Sequence, residues 1–509
     1  MEKLGRNLSL VALVVLLAIL PFERRFGALY QSAEATVLLG FLIRLAGQSK
    51  WRLLGVAVAV FVVSMGLLMG GAAIYTRASQ SPFTLVEIAK ALLTEVGVLY
   101  FCATVVFLGQ FFFRPEAWAP HDRWTQVILA LVWAFAGFVL ISAICSLDPL
   151  ASLAYVRKYA IPYLLVYMVV TETLYSWRQY RVIIATIYLV GIIVTSASVA
   201  ARYLYLHGEY DLRSDFQKSE IVREETTADG RVELRNQWPF YHHNRLCSYA
   251  LLVTFFVWLQ FFVTRNWELR TLVAISAILP VWCVIVTLTR GGWIALAVGA
   301  LALVLMINWR SVGILLAVAL AAWWVSPTVV RNRLITIFQP STYTRPKGTF
   351  HLRRHLWTCA LDIIRKHPVL GLGAGWSLFE EYVKSHYPLV EPEMETSNAH
   401  NNFLEVAAES GIPAAALLLA LTAALVVQIS RAWQVTQRQT KRRFVVAGFF
   451  ALLIGITVYG LGSYSLRYTV GMLVWICFAL MTLLPRIVRA IPEDDAPQPV
   501  PAGAPGDGA

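Results

Sequence analysis

The sequence predicts an all-α polytopic membrane protein with about 12–14 transmembrane helices and a large, partly helical outer loop. Composition is the first reason: the 509 residues are 58% hydrophobic and only 14% charged, with a mean hydropathy of +0.62, far outside the usual range of soluble globular domains. Recurrence is the second, because apolar runs long enough to cross a hydrocarbon core of ~30 Å follow one another along most of the chain. The third is a polar interval, residues 329–402, with a helical periodicity of its own.

In chain order the candidate spans lie near residues 7–22, 28–46, 52–74, 84–113, 125–147, 155–176, 182–206, 245–264, 271–289, 292–308, 311–328, 403–430, 444–463 and 469–488. The first follows Lys3 and Arg6 and ends in Pro21-Phe22-Glu23-Arg24-Arg25 without a small-residue cleavage site, so it reads as a retained span. Glu34, Glu87, Lys90 and Glu95 fall in apolar surroundings near span ends, and the three-residue spacing of Glu87 and Lys90 favours local pairing. Placing the N-terminus inside puts Arg44, Lys50, Arg52, Arg178, Arg181, Arg265 and Arg270 in the cytoplasm, together with the basic loop Arg431, Arg438, Lys441, Arg442 and Arg443. Both termini are then cytoplasmic. Three polar regions face outward: residues 207–244, the tight turn Thr289-Arg290-Gly291-Gly292, and the long loop.

The expected organisation is transmembrane helices over 1–328 with an outer loop at 207–244, a large outer loop over 329–402, C-terminal transmembrane helices over 403–490, and a disordered Pro/Ala/Gly-rich cytoplasmic tail over 491–509. The net charge of +13 sorts largely by membrane side, so it argues for membrane lipid and not for a nucleic-acid partner. The six cysteines are scattered, with no CxxC and no Cys/His cluster, so neither a disulfide framework nor a metal site is expected.

Within the long loop, Leu352, Leu356, Ala360 and Ile363 or Ile364 recur at three-to-four spacing and give a helix with one apolar face. Pro368 ends it, Gly371-Leu372-Gly373-Ala374-Gly375 makes a turn, and Trp376–Ser385 can form a second short helix. The acidic segment Glu391-Pro392-Glu393-Met394-Glu395 then leads to Ser397-Asn398-Ala399-His400-Asn401-Asn402.

His400 stands where this polar loop enters an apolar helix, a poor place for packing and a good one for proton transfer. Asn398 is the expected N-cap, which would set His400 in the first turn, where the positive helix end disfavours imidazolium. The competing reading is an interfacial cap. Arg290 sits at the outer boundary against the positive-inside bias, and its planar fork suits phosphate oxygens; a snorkelling anchor is the alternative. Arg353 and Arg354 precede Trp357 on the loop helix, so a cation and an aromatic face could share one surface, or merely form a solvated basic face. Arg157 and Lys158, and Arg245 after Tyr241-His242-His243-Asn244, lie near the same outer face. Those adjacent histidines have no third ligand at metal spacing.

Together these residues resemble the O-antigen ligase and O-antigen polymerase superfamily, bacterial membrane glycosyltransferases that use polyprenyl-diphosphate-linked glycans. The similarity is strongest over residues 285–425. His400-Asn401, nine residues, then Gly411 is similar to the ligase signature, whose last position is Ala414 here instead of Gly, Thr or Tyr. Arg353-Arg354-His355-Leu356-Trp357 followed by His367-Pro368-Val369-Leu370-Gly371-Leu372-Gly373 resembles the segment preceding that signature, and Leu288-Thr289-Arg290-Gly291-Gly292 its upstream arginine turn. The resemblance implies metal-independent transfer, with no cofactor, at the periplasmic face of the inner (plasma) membrane. His400 would be the base, Arg290 and Arg353 would hold the diphosphate, Arg245 and Arg157 would compete for a further arginine role, and Asn401, Arg354 and Trp357 would support them. The donor would be a polyprenyl-diphosphate-linked glycan and the acceptor lipid A-core. A growing glycan, as in a polymerase, or a protein hydroxyl is the alternative. A lipid-linked glycan flippase or an assembly scaffold represents other classes.

Overall fold

The computed structural model describes residues 2–19, 21, 33, 36–37, 122–174, 176–206, 222–226, 232–339, 349–387, 398–436 and 441–491. The predicted spans near 52–74 and 84–113, nearly all of 28–46, Glu34, Glu87, Lys90, Glu95, the acidic segment 391–395 and the tail from 492 lie outside them.

The chain is an all-α multi-pass membrane protein. Among the described residues eight helices are long and apolar enough to cross a membrane, and Ser9–Ala18, Trp309–Val325 and Val470–Thr482 are shorter apolar helices. After α1 (Glu2–Ile19), α2 (Arg123–Ile144) begins at Asp122, whose carboxylate accepts the Thr125 N–H at 2.8 Å. Asp148, followed by Pro149 in the first turn, caps α3 (Pro149–Tyr155), which continues through a π-helical turn (Val156–Ala160) into α4 (Ile161–Thr173). α5 (Trp177–Leu206) leads to a hairpin of β1 (Val222–Thr226) and β2 (Val232–Asn236), paired antiparallel with Val222 opposite Asn236.

α6 (His243–Val263) starts at His242, whose Nδ1 accepts the Asn244 N–H. Residues 267–286 then run as α7 (Trp267–Ser276) and α8 (Ile278–Val286), so the span expected at 271–289 begins earlier and ends before Thr289. α9 (Arg290–Ile307) follows at once, which places Arg290, Gly291 and Gly292 in its first turn; the predicted turn Thr289–Gly292 is a helix start. α10 (Val312–Val325) and α11 (Thr328–Phe338) complete this half.

The loop helix α12 (Thr349–Lys366) and the short α13 (Trp376–His386) flank the Pro368–Gly375 turn, in which Gly371, Gly373 and Gly375 take positive φ. α14 (Asn402–Gln434), α15 (Lys441–Gly462), α16 (Tyr468–Thr482) and α17 (Leu484–Arg489) close the chain.

Polar locks mark the two ends of this bundle. At one end Arg431 meets Asp122 at 2.8 Å, Gln428 donates to Thr125 Oγ1 at 3.0 Å and to Thr482 O at 2.7 Å, and Tyr167 bonds Thr482 Oγ1 at 2.8 Å. These joins satisfy polar groups that have no water partner inside a bilayer. The opposite end carries the chain's unusual chemistry.

Candidate active site

Helix α14 positions the histidine. Asn401, not Asn398, is its N-cap: the Asn401 side chain accepts the N–H groups of Phe403 and Leu404 at 2.9 and 3.1 Å. Asn398 instead accepts the His400 N–H at 3.0 Å, a local turn within the loop. His400 therefore sits just outside the helix with φ of +50°, a backbone region that is uncommon for a residue bearing a Cβ. Its neighbour Ala399 is held on both sides, since Trp357 Nε1 donates to Ala399 O at 2.8 Å and the Glu405 carboxylate accepts the Ala399 N–H.

After nine intervening residues from Asn401 the helix is interrupted at Gly411, which has φ +86° and ψ +167°. Pro413 has no N–H, so the carbonyl of Glu409 loses its usual intrahelical donor, and the break deprives Ala408 O in the same way. Both carbonyls are taken up by the loop: Leu372 N donates to Ala408 O at 3.0 Å and Gly373 N to Glu409 O at 2.8 Å, while Ile412 N donates to Pro368 O at 2.8 Å. Ser142 Oγ adds a bond to Glu409 O at 3.1 Å and one to Leu370 O at 2.7 Å. The helical residues 402–410, about 14 Å at 1.5 Å per residue, thus separate the histidine from the seam fastening the loop turn.

The arginines gather around the end of α15. Tyr459 OH donates to Asn244 O at 2.7 Å, next to Arg245, and Thr289 Oγ1 donates to Asn244 Oδ1 at 3.3 Å, next to Arg290. Two residues on, Asn401 Nδ2 donates to Leu461 O at 3.1 Å, beside His400, and a Cβ on Gly462 would lie 3.7 Å from an Arg353 terminal nitrogen. Asn402 then pairs with Ser465, donating to its Oγ and accepting its N–H. A Cβ on Gly292, two residues after Arg290, would lie 3.7 Å from a Tyr459 ring carbon, so four chain segments that carry Arg245, Arg290, Arg353 and His400 meet one short stretch, residues 459–465.

Arg353 is half-buried, and its Nε is shielded with no hydrogen-bond partner among the described residues. Burial pulls its guanidinium below the ordinary arginine value, Tyr459 opposes that shift, and the neighbouring charge of Arg333 adds to it. Arg333, on α11, is 8% exposed, a second desolvated guanidinium whose charge acts on Arg353. Arg245 stacks over the ring of Tyr468 with 3.4 Å from its Cζ to the ring centroid. Arg354 is exposed on α12, and Trp357, half-buried, spends its indole N–H on the loop carbonyl. Arg157 is exposed on the π-helical turn.

Sequence reasoning missed Arg333 and three residues beneath His400. Glu405 and Glu409 both bond Arg467, and all three are buried. The signal was available: two carboxylates four residues apart in an apolar run lie on one helix face, and ionisable groups inside a membrane span are functional suspects.

Fold and site define a multi-pass membrane protein with a histidine and several arginines collected at one end of its helical bundle. Residues 275–419 match the family model for O-antigen ligase, which supports a likeness of this part of the chain to the O-antigen ligase superfamily. The matched segment encloses Arg290, Arg333, Arg353, His400, Glu405 and Gly411 and leaves Arg245, Arg157 and Arg467 outside it. No curated protein matches the chain.

Proposed function

We propose that this protein transfers a glycan from a polyprenyl diphosphate to a hydroxyl acceptor at the periplasmic face of the bacterial inner membrane, with lipid A-core as the acceptor. The observation that carries the reading is the meeting of His400 with the Arg245, Arg290 and Arg353 segments at residues 459–465. Permanent charges in a partly desolvated place favour an anionic ligand, and the guanidinium fork fits phosphate oxygens in two-point contact.

His400 acts as general base on the acceptor hydroxyl. Its proton abstraction sharpens the oxygen nucleophile, which attacks the anomeric carbon as the bond to the diphosphate oxygen breaks. Arg290 and Arg353, with Arg245, hold that diphosphate and offset the charge that develops on the leaving oxygen. Arg290 adds the positive end of α9, because it opens that helix. Arg333, buried on α11, adds its charge to the field at Arg353. Arg157, exposed on the π-helical turn, competes with Arg245 for the further arginine role. Charge neutralisation by arginine serves in place of a metal ion. Asn401 fixes the helix start against α15 and so supports His400 indirectly.

The test is deletion of the gene followed by inspection of surface glycans and the lipid-linked pool. A ligase deletion accumulates long glycan on the carrier lipid and leaves bare core, whereas loss of a polymerase leaves single repeats on core. Unchanged profiles of both would overturn the assignment to glycan transfer.

A further inference from the structure

We propose that the buried Glu405–Arg467 pair, with Glu409 as its second acid, is a positioning device that sets the main chain of His400 against the aromatic platform of Arg245. The inference rests on the reading of His400 as the base. Glu405, Glu409 and Arg467 are 0%, 4% and 3% exposed. Their contacts are to the scaffold of the site.

Glu405 uses its two oxygens for two different tasks. Oε1 accepts from Arg467 at 2.6 Å, and Oε2 accepts the Ala399 N–H immediately before His400. Arg467 reaches Glu409 with the same terminal nitrogen. Arg467 is followed by Tyr468, held at φ +58° at the start of α16. The Tyr468 ring carries Arg245, and its carbonyl accepts Tyr163 OH at 2.6 Å. A single carboxylate thereby links the base loop to the ring under an arginine from another helix. Asn402 adds a parallel tie to Ser465.

Chemistry makes Glu405 hard to replace. A carboxylate offers two acceptors, whereas an amide offers one acceptor and one donor. Glutamine can therefore keep the Arg467 contact or the Ala399 contact but not both. Replacing a buried ion pair by apolar packing is often neutral for stability, so what this pair supplies is the geometry it fixes at Ala399 and Tyr468. Misplacement of a catalytic group by ~1 Å can cost ~100-fold in rate.

The experiment compares purified wild type, Glu405→Gln, Glu409→Gln and His400→Ala, using lipid extract from a deletion strain as the source of donor and acceptor. Hydrogen exchange of the peptide containing Ala399 and His400 is followed in parallel. Glu405→Gln is expected to lose ~10–100-fold in kcat with donor KM within ~3-fold, and to exchange faster at Ala399. Glu409→Gln, whose side chain touches Arg467 but not Ala399, is expected to lose less turnover. Equal kcat losses in the two glutamine variants with unchanged exchange at Ala399 would reduce the cluster to a structural ion pair and overturn the proposal. Wild-type kcat in Glu405→Gln beside an inactive His400→Ala would also overturn it while leaving the base assignment standing. An active His400→Ala would instead remove the base assignment. If Glu405→Gln fails to insert, Glu405→Asp takes its place with the same expectations, because it keeps the charge and shortens the arm by one methylene.

Discussion

Gly411→Ala is expected to be severe although it adds only one methyl group, and the structure shows why. Gly411 has φ +86°, and a Cβ built there would lie 1.9 Å from Val369 O, 2.4 Å from Val369 C and 2.9 Å from Leu370 N, where ordinary contact begins at 3.4 Å. All three atoms are backbone, so no side chain can swing aside. The turn that donates to Ala408 and Glu409 would have to retreat by more than an ångström or the helix would have to re-form across the break. Left-handed backbone costs ~1–2 kcal/mol for a residue with a Cβ, and overpacking adds ~1–3 kcal/mol. A loss of about 2–5 kcal/mol follows, together with displacement of the loop that carries Trp357 and, through it, Ala399. Thermal unfolding of the detergent-solubilised protein and glycan transfer in cells read the two consequences. Gly137→Ala is the control, because its Cβ would meet nothing within 4 Å. Wild-type melting and transfer in Gly411→Ala would refute the seam between the loop turn and α14.

Other perturbations separate the ends of the bundle. Trp357→Phe removes the indole donor to Ala399 O and is expected to cost ~1 kcal/mol of loop stability and up to ~10-fold in turnover with normal insertion, measured by transfer with purified protein. Asp122→Asn keeps a competent N-cap while removing the charge opposite Arg431. Partial burial of Asp122 raises its pKa, but hydrogen bonds from Thr125 and Arg431 outweigh that and hold the carboxyl below its ordinary 3.8. Its contribution, ~0.5–1 kcal/mol for a part-exposed pair, is fully present above that value and is lost as pH falls through the lower folded pKa. The melting difference between wild type and Asp122→Asn should therefore be present at neutral pH and vanish in strong acid. A cysteine replacing exposed Glu381 on α13 is expected to label from outside in intact spheroplasts, and labelling only after lysis would invert the topology.

The fold class was legible because hydropathy acts residue by residue, and a run of apolar residues needs no knowledge of its neighbours in space. His400, Arg290 and Arg353 were legible for a related reason: each sits where an apolar run meets a polar segment, or inside a recognisable spacing. Their meeting point was not. Tyr459, Leu461 and Gly462 join Asn244, Asn401 and Arg353 from far along the chain, and packing alone determines those encounters. Asn398 and Asn401 are both competent caps by residue type, and only the direction of the backbone at His400 decides for Asn401. The break at Gly411 hid in plain view, since Gly411-Ile412-Pro413 reads as a helix breaker inside an otherwise continuous apolar run. The hairpin within the outer loop carried too short a signal to stand out from its polar surroundings.

The most direct measurement of the central claim is transfer by purified His400→Ala protein on lipid-linked glycan, with insertion and melting checked against wild type. Loss of the general base should lower kcat by at least ~100-fold in a protein that folds normally. Turnover at the wild-type rate would contradict the account.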